Sequence, residues 1–261
     1  MSILHVLRTR LQQGRRTIAF PPAEPGVSDR YRGAPQLAPE RCPDGCRGCA
    51  DACPTAAMPL GGLAIDLGRC LFCGDCVEAC EAGAISFSRD YRMAARSRVD
   101  LVVGAGGLPP VHPLAKATRR LFGRSLKLRQ VSAAGCNACE ADTNVLGTIG
   151  YDLGRFGIGF VASPRHADGL LVTGPVSRNM ELALRKTYDA VPSPKIVIAV
   201  GSCAISGGPY TGHEEVLGGA DALVPVDLFV PGCPPHPLTI LDGLVRLLGR
   251  LDPGGARGRQ T

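Results

Sequence analysis

At 261 residues the chain can hold two compact domains, or one domain plus a small module. Its 12 Cys suggest secreted disulfides, but Met1-Ser-Ile-Leu-His-Val-Leu-Arg has too short an apolar run for a signal peptide, so reduced metal-binding or redox thiols are expected. The formal net charge is +6, and no stretch has the apolar length of a membrane span, so a soluble or peripherally attached protein is expected.

Charge is uneven along the chain. Up to Arg41 seven Arg face three acids, from Cys42 to Asp90 three basic residues face seven acids, and from Tyr91 to Gln130 nine Lys or Arg face Asp100 alone. With few aromatics and no nucleic-acid motif, nucleic acid is an unfavoured partner. Anionic lipid headgroups or an acidic partner subunit suit the basic segments better.

Residues 1–35 read as a basic N-terminal arm. Ile3, Leu4, Leu7 and Leu11 share a helical face, with Arg8, Arg10, Arg15 and Arg16 elsewhere, and Pro21, Pro22 and Pro25 end any helix. Such an arm is either a disordered tail or docks on a partner or a membrane surface.

Residues 36–90 carry eight cysteines in two runs, Cys42-x3-Cys46-x2-Cys49-x3-Cys53-Pro54 and Cys70-x2-Cys73-x2-Cys76-x3-Cys80. The spacing is close to that by which bacterial ferredoxins hold two [4Fe–4S] clusters. Cys46, Cys49 and Cys53 recur 27 residues later as Cys73, Cys76 and Cys80, so two copies of one unit are expected. The module has little apolar core, and its clusters are expected to hold it folded. Residues 91–125 follow as a basic linker; Gly104-Ala-Gly-Gly107 lacks the spacing of a dinucleotide fingerprint and reads as flexible.

From residue 126 to 254 strands and helices alternate. Strands are predicted at 126–132, 158–162, 169–173, 195–200 and 224–230, rich in Val, Ile and Leu as in a parallel sheet covered on both faces. Helical patterns lie between them: Val145, Ile149, Leu153 and Phe156; Met180, Leu184, Tyr188 and Val191; Leu238, Leu241, Val245 and Leu248. Pro237 suits a first helical turn. The fold class is α/β, a doubly wound, flavodoxin-like parallel sheet behind an α+β dicluster ferredoxin module.

The remaining cysteines, Cys136, Cys139, Cys203 and Cys233, each follow a predicted strand. Ligands collect outside the carboxyl ends of such strands, so the three loops can converge. Four thiolates there suit a [4Fe–4S] cluster or a tetrahedral zinc. Zinc ribbons usually carry two Cys-x2-Cys knuckles, whereas one is present here. Small residues beside the ligands (Ala134, Gly135, Gly201, Ser202, Gly207, Gly208, Gly232) would let amides approach cluster sulfides.

Gly135-Cys-Asn-Ala-Cys-Glu140, Thr173-Gly-Pro-Val-Ser-Arg-Asn-Met180, Val200-Gly-Ser-Cys-Ala-Ile-Ser-Gly-Gly208 and Val230-Pro-Gly-Cys-Pro-Pro-His-Pro237 resemble one family closely. It comprises the small subunits of group 4 [NiFe]-hydrogenases of the formate hydrogenlyase type and the homologous complex I 20 kDa subunit. Arg32-Gly-Ala-Pro and the two cysteine runs resemble the dicluster ferredoxin subunit of the same complexes, so the chain looks like a fusion of two subunits. The resemblance implies that Cys136, Cys139, Cys203 and Cys233 ligate a proximal cluster. Glu140 matches an acid beside the first ligand, which implies a part in proton movement; a role as a carboxylate at a helix N-terminus is compatible with it. The two residues between Cys136 and Cys139 favour the hydrogenase branch, since the first two ligands are adjacent in complex I.

By the ferredoxin rule that each run's fourth cysteine serves the other cluster, Cys42, Cys46, Cys49 and Cys80 hold one and Cys53, Cys70, Cys73 and Cys76 the second. Two departures stand out: three residues between Cys42 and Cys46, and Glu81 in place of proline after Cys80. His5, His112, His166, His213 and His236 show no metal spacing, and no nucleophile motif or P-loop occurs. No catalytic residue is assigned, so substrate conversion is expected in a partner.

The expected function is an iron–sulfur electron-transfer subunit with three [4Fe–4S] clusters, serving a NiFe large subunit. Membrane-embedded subunits of the same complex and an electron donor or acceptor at the ferredoxin module are further expected partners. It would sit in the cytoplasm, attached through partners to the inner face of the cell membrane. Alternatives are the same role in a nickel-free, complex I-like oxidoreductase linked to a quinone or carrier, and a stand-alone ferredoxin-like carrier or redox sensor.

Overall fold

In a computed structural model, residues 2–59, 63–122 and 124–251 are described. Leu60, Gly123 and residues 252–254, at the edges of expected segments, lie outside them. Five strands form the main sheet: β5 (Leu126–Ser132), β6 (Ile158–Phe160), β7 (Gly169–Thr173), β8 (Ile196–Val200) and β9 (Leu228–Val230). Their order is β6-β5-β7-β8-β9, and every neighbouring pair is parallel. This is the doubly wound arrangement expected.

Alternation along β8 shows why the sheet needs two covers. Ile196, Ile198 and Val200 enter one core with Leu241, Leu244 and Val245 of helix α8 (Pro237–Leu247). Val197 and Ala199 enter the other, with Leu184 of α6 (Arg178–Ala190) and Ala204 and Ile205 of α7 (Ser202–Ser206). Pro237 occupies the first turn of α8 as predicted, and His236 caps it by accepting from the Leu238 amide at 3.1 Å.

One predicted helix is corrected. The pattern Val145, Ile149, Leu153, Phe156 does not form a single helix: α5 covers Ala138–Val145, and a separate 3-10 turn covers Leu153–Phe156. Asp152 adopts φ 48° between them, a left-handed conformation that ends helical continuation, and Ile149 is 75% exposed. The last predicted strand also begins late, at Leu228; Pro225 lacks the amide that a ladder requires. β6 stops at Phe160, where its pairing with β5 ends.

The ferredoxin-type region has short elements: β1 (Pro35–Leu37) pairs antiparallel with β3 (Ile85–Phe87), and β2 (Ile65–Asp66) with β4 (Val102–Val103). Helices α2 (Gly48–Asp51) and α3 (Asp75–Glu78) stand at equivalent places of the repeat. The repeat also governs the backbone: left-handed φ angles recur at Gly45 and Phe72, and at Ala56 and Gly83. The expectation of little apolar core is corrected. Ala57, Met58, Ile65, Leu67, Ile85, Leu101 and Val103 are buried, in the same cluster as Val197, Ala199 and Phe229 of the sheet. A module too small to enclose a core instead buries its apolar residues against the sheet.

Residues 91–125, expected as a linker, are packed rather than extended. Tyr91, Met93, Ala94, Ala95, Leu101, Val111, Leu114 and Phe122 are buried. Ala95 exchanges two hydrogen bonds with Phe229, at 2.9 and 2.8 Å, and so covers the free edge of β9. Helix α4 (Lys116–Phe122) belongs to this stretch. In the N-terminal arm, α1 (Ile3–Gln13) forms on the predicted face but buries nothing. Beyond it Phe20 is buried edge-on against Tyr91 and Phe156, while Arg155 donates to the carbonyls of Ile18 and Phe20, each at 3.1 Å. No described helix is long and apolar enough to cross a membrane.

Candidate metal centres

All twelve cysteines are free thiols, and they gather into three neighbourhoods. Loss of water, then the nearby Cys46 and Cys80, raises the Cys42 thiol above its ordinary value; Cys49 is raised by burial and then chiefly by Cys80. Burial pushes Cys70 up to about 12, with Cys76, Cys53 and Cys73 adding to it. Cys76 rises to about 11 through burial, Cys73 and Cys53. At the third place burial raises Cys139 well above its usual range, reinforced by Cys203, Glu140, Cys233 and Cys136. Cys203 rises to about 11 from burial and from Cys233 and Cys136. Most of these electrostatic partners lie within the sets expected from the sequence, although Cys49 of the first set also acts on Cys76 of the second.

Among the described residues no group of three or more His, Cys, Asp or Glu side chains is gathered so tightly as to hold one metal ion. A [4Fe–4S] core asks for something wider, because each thiolate binds a different iron. The local chemistry fits such a group. Backbone amides donate to sulfur from Ala57 to Cys53 at 3.2 Å, Phe72 to Cys70 at 3.3 Å and Ala84 to Cys80 at 3.3 Å. The first and last are equivalent under the internal repeat, so both runs stabilise a sulfur's negative charge in the same way.

The third neighbourhood lies at the carboxyl ends of β5, β8 and β9, where the sequence put it. Glycine makes the approach possible. A Cβ on Gly201 would lie 2.5 Å from the Cys139 sulfur, and one on Gly208 2.8 Å from the Cys203 sulfur. Cys136 and Cys233 are exposed, whereas Cys139 and Cys203 are partly buried.

Glu140 is buried beside this set. Its Oε1 accepts from Ser132 Oγ at 2.5 Å and Thr173 Oγ1 at 2.7 Å, and Oε2 has no hydrogen-bond partner. Burial pushes the carboxyl up, but the two hydroxyls and its own amide outweigh this and hold it below the usual value. His236, three residues past Cys233, rests on Tyr31 with ring centres 5.1 Å apart, and burial lowers its pKa. His5, His112, His166 and His213 are exposed.

Sequence reasoning missed the polar contacts that join the centres. Asp66 receives two bonds from the Arg98 guanidinium, at 2.7 and 2.6 Å. Ser202 hydrogen-bonds to Cys70, the first residue of the second cysteine run, and Ser206 to Gly68 just before it. Their i, i+4 placement around Cys203 put both on one helix face, but nothing local named their acceptors.

Residues 136–247 match the family model described as NADH ubiquinone oxidoreductase, 20 Kd subunit, and residues 63–86 match the 4Fe-4S binding domain. The first match includes the whole third cysteine set. The second includes Cys70, Cys73, Cys76 and Cys80 and leaves the first run outside. Among solved structures, the chain is similar to part of the membrane-bound sulfane sulfur reductase, an archaeal respiratory membrane complex. Identity is 34% over 56% of this chain and 80% of that one, with a TM-score of 0.46. A chain of an NAD+-reducing [NiFe]-hydrogenase in the H2-reduced state is similar at 24% identity, over 50% of this chain and 94% of that one, with a TM-score of 0.40.

Proposed function

We propose that this chain, an oxidoreductase subunit that joins a 20 Kd-type domain to a 4Fe-4S binding domain, is the electron-transfer subunit of a membrane-bound hydrogenase complex. The observation that carries the reading is the third cysteine set at the carboxyl ends of β5, β8 and β9, inside the stretch that matches the 20 Kd model, with the Cys70–Cys80 run inside the stretch that matches the 4Fe-4S domain. Cys42, Cys46, Cys49 and Cys80 would hold one [4Fe–4S] cluster, and Cys53, Cys70, Cys73 and Cys76 a second. Cys136, Cys139, Cys203 and Cys233 would hold the third. When bound, such clusters supply one-electron transfer and no bond chemistry of their own.

The chain's residues set the surroundings. Amides of Ala57, Phe72 and Ala84 offset negative charge on three sulfurs, which favours the reduced state. The acidic surface of residues 42–90 opposes it. Exposed Cys46 lines an open groove of about 440 Å³ with Cys42 and Cys49, a face suited to an external donor or acceptor. Exposed Cys136 and Cys233 suit the opposite role, contact with a large subunit that converts the substrate. Glu140, a carboxylate with Oε2 free of hydrogen bonds, is the group proposed to take part in proton movement there. Attachment to the inner face of a cell membrane would come through partner subunits.

A second reading keeps the same wiring in a nickel-free complex that acts on a quinone or another carrier, and the 20 Kd family description favours it. The Cys136-x2-Cys139 spacing favours the hydrogenase. Anaerobic purification of the native complex through a tag on this chain, followed by metal analysis, separates them. About twelve irons per chain are expected from three four-iron clusters, with stoichiometric nickel. Iron without nickel selects the second reading, and a chain that purifies alone without iron overturns both.

A further inference from the structure

Two buried serines on α7 reach from the third cysteine loop to the start of the second cysteine run and the turn before it. Ser202 Oγ donates to the Cys70 carbonyl at 2.7 Å, and Ser206 Oγ donates to the Gly68 carbonyl at 2.8 Å. Each hydroxyl also lies near a carbonyl on its own side, Gly232 at 3.2 Å for Ser202 and Ser202 at 3.1 Å for Ser206. A hydroxyl has one proton, and the shorter contacts receive it. The Ser202 amide in turn donates to the Gly232 carbonyl at 2.9 Å. Ser202 therefore stands next to Cys203 in the chain, bonds the main chain of Cys70, and bonds the residue before Cys233.

The receiving loop is fixed as well. Asp66 Oδ1 accepts from the Gly68 amide at 2.9 Å while Arg98 grips the same carboxylate. Gly68 packs so closely on α7 that a Cβ there would lie 2.8 Å from Ile205 Cγ2. Leu71 and Phe72, which follow Cys70, also line a groove of about 180 Å³ together with Gly232, Cys233 and His236. By contrast, among the described residues the groove at Cys42, Cys46 and Cys49 is lined by those between Pro39 and Leu63.

We infer that Ser202 and Ser206 form a clasp that sets the separation of the second and third cysteine sets. Both serines are positioning residues, because each acts on main-chain carbonyls and binds nothing transferred. What the two sets hold rests on the proposed function; the clasp itself is a property of the polypeptide.

The test uses the full chain, purified anaerobically, as wild type, Ser206→Ala, Ser202→Ala/Ser206→Ala and Ser202→Thr/Ser206→Ala. Three readouts are compared: iron content, hydrogen exchange of peptides covering residues 66–72, and magnetic interaction between reduced centres in electron paramagnetic resonance. In the double Ala variant iron should remain, exchange should rise about tenfold for each lost buried bond, and the magnetic interaction should weaken. The Thr variant restores a hydroxyl at 202 and should recover most of that interaction, which a general loosening would not. Unchanged exchange and unchanged interaction in the double variant overturn the clasp. If the double variant does not accumulate, Ser206→Ala alone decides through exchange at Gly68, where a wild-type rate overturns the inference. Wild-type chain without iron in the third set would defeat the proposed function, while exchange would still decide on the clasp.

Discussion

Gly201 faces Cys139 so closely that a Cβ at position 201 would lie 2.5 Å from the cysteine sulfur. Its φ of +92° is also one that L side chains rarely adopt. Two separate constraints therefore require glycine, and both bear on the third cysteine set. Gly201→Ala should destabilise the chain by ~1–3 kcal/mol and lose roughly a third of its iron, the share of one cluster in three. Denaturant melts and iron analysis of the anaerobic chain measure both; wild-type iron in this variant would count against a group seated between Cys139 and Cys203.

Cys203→Ser removes a proposed ligand from the third set alone. The thiols that act on it electrostatically, Cys233 and Cys136, belong to the same set, so the two ferredoxin-type signals in electron paramagnetic resonance should persist while the third disappears. Loss of all three signals would mean that the common core makes the centres interdependent.

The pair Asp242 and Arg246 lies within α8 at 2.8 Å, with side chains 3% and 7% exposed. Arg246→Met leaves a buried carboxylate without this partner and should cost about 3 kcal/mol. Adding Asp242→Leu removes the stranded charge and should recover most of that loss. Urea unfolding of the single and double variants checks this, and a single variant as stable as wild type would refute it.

Alkaline pH should weaken the fold through two phenols. Burial raises Tyr31 to about 12, opposed by its hydrogen bond with Thr239, and burial followed by Asp242 and Glu24 raises Tyr91 to about 12. In the unfolded chain both titrate near ~10. Their neutral forms contribute fully below that value, and the contribution is lost as pH climbs from about 10 toward 12. Tyr31→Phe/Tyr91→Phe should flatten the decline in unfolding free energy over this window; an identical slope would exclude the two phenols as its source.

Much of the chemistry was written locally. The cysteine spacings, the 27-residue recurrence and the strand ends at Ser132, Val200 and Val230 depend on neighbours in sequence, and periodicity and turn residues encode such features directly. That locality also explains the helix expected through Ile149. Four apolar residues at helical spacing say nothing about whether a buried face awaits them, and Asp152 turns the chain away before one forms.

Tertiary structure alone decided how the parts meet. Leu67 and Ile85 share a core with Val197 and Ala199 of the sheet, and Ala95 completes the edge at Phe229. A residue in either region has an ordinary apolar or small character that names no partner. Which surfaces close on each other is set by the total area buried and by buried polar groups finding partners. Ser202 shows the division: its place beside Cys203 was legible in the sequence, and its bond to Cys70 exists because packing brought two distant loops together.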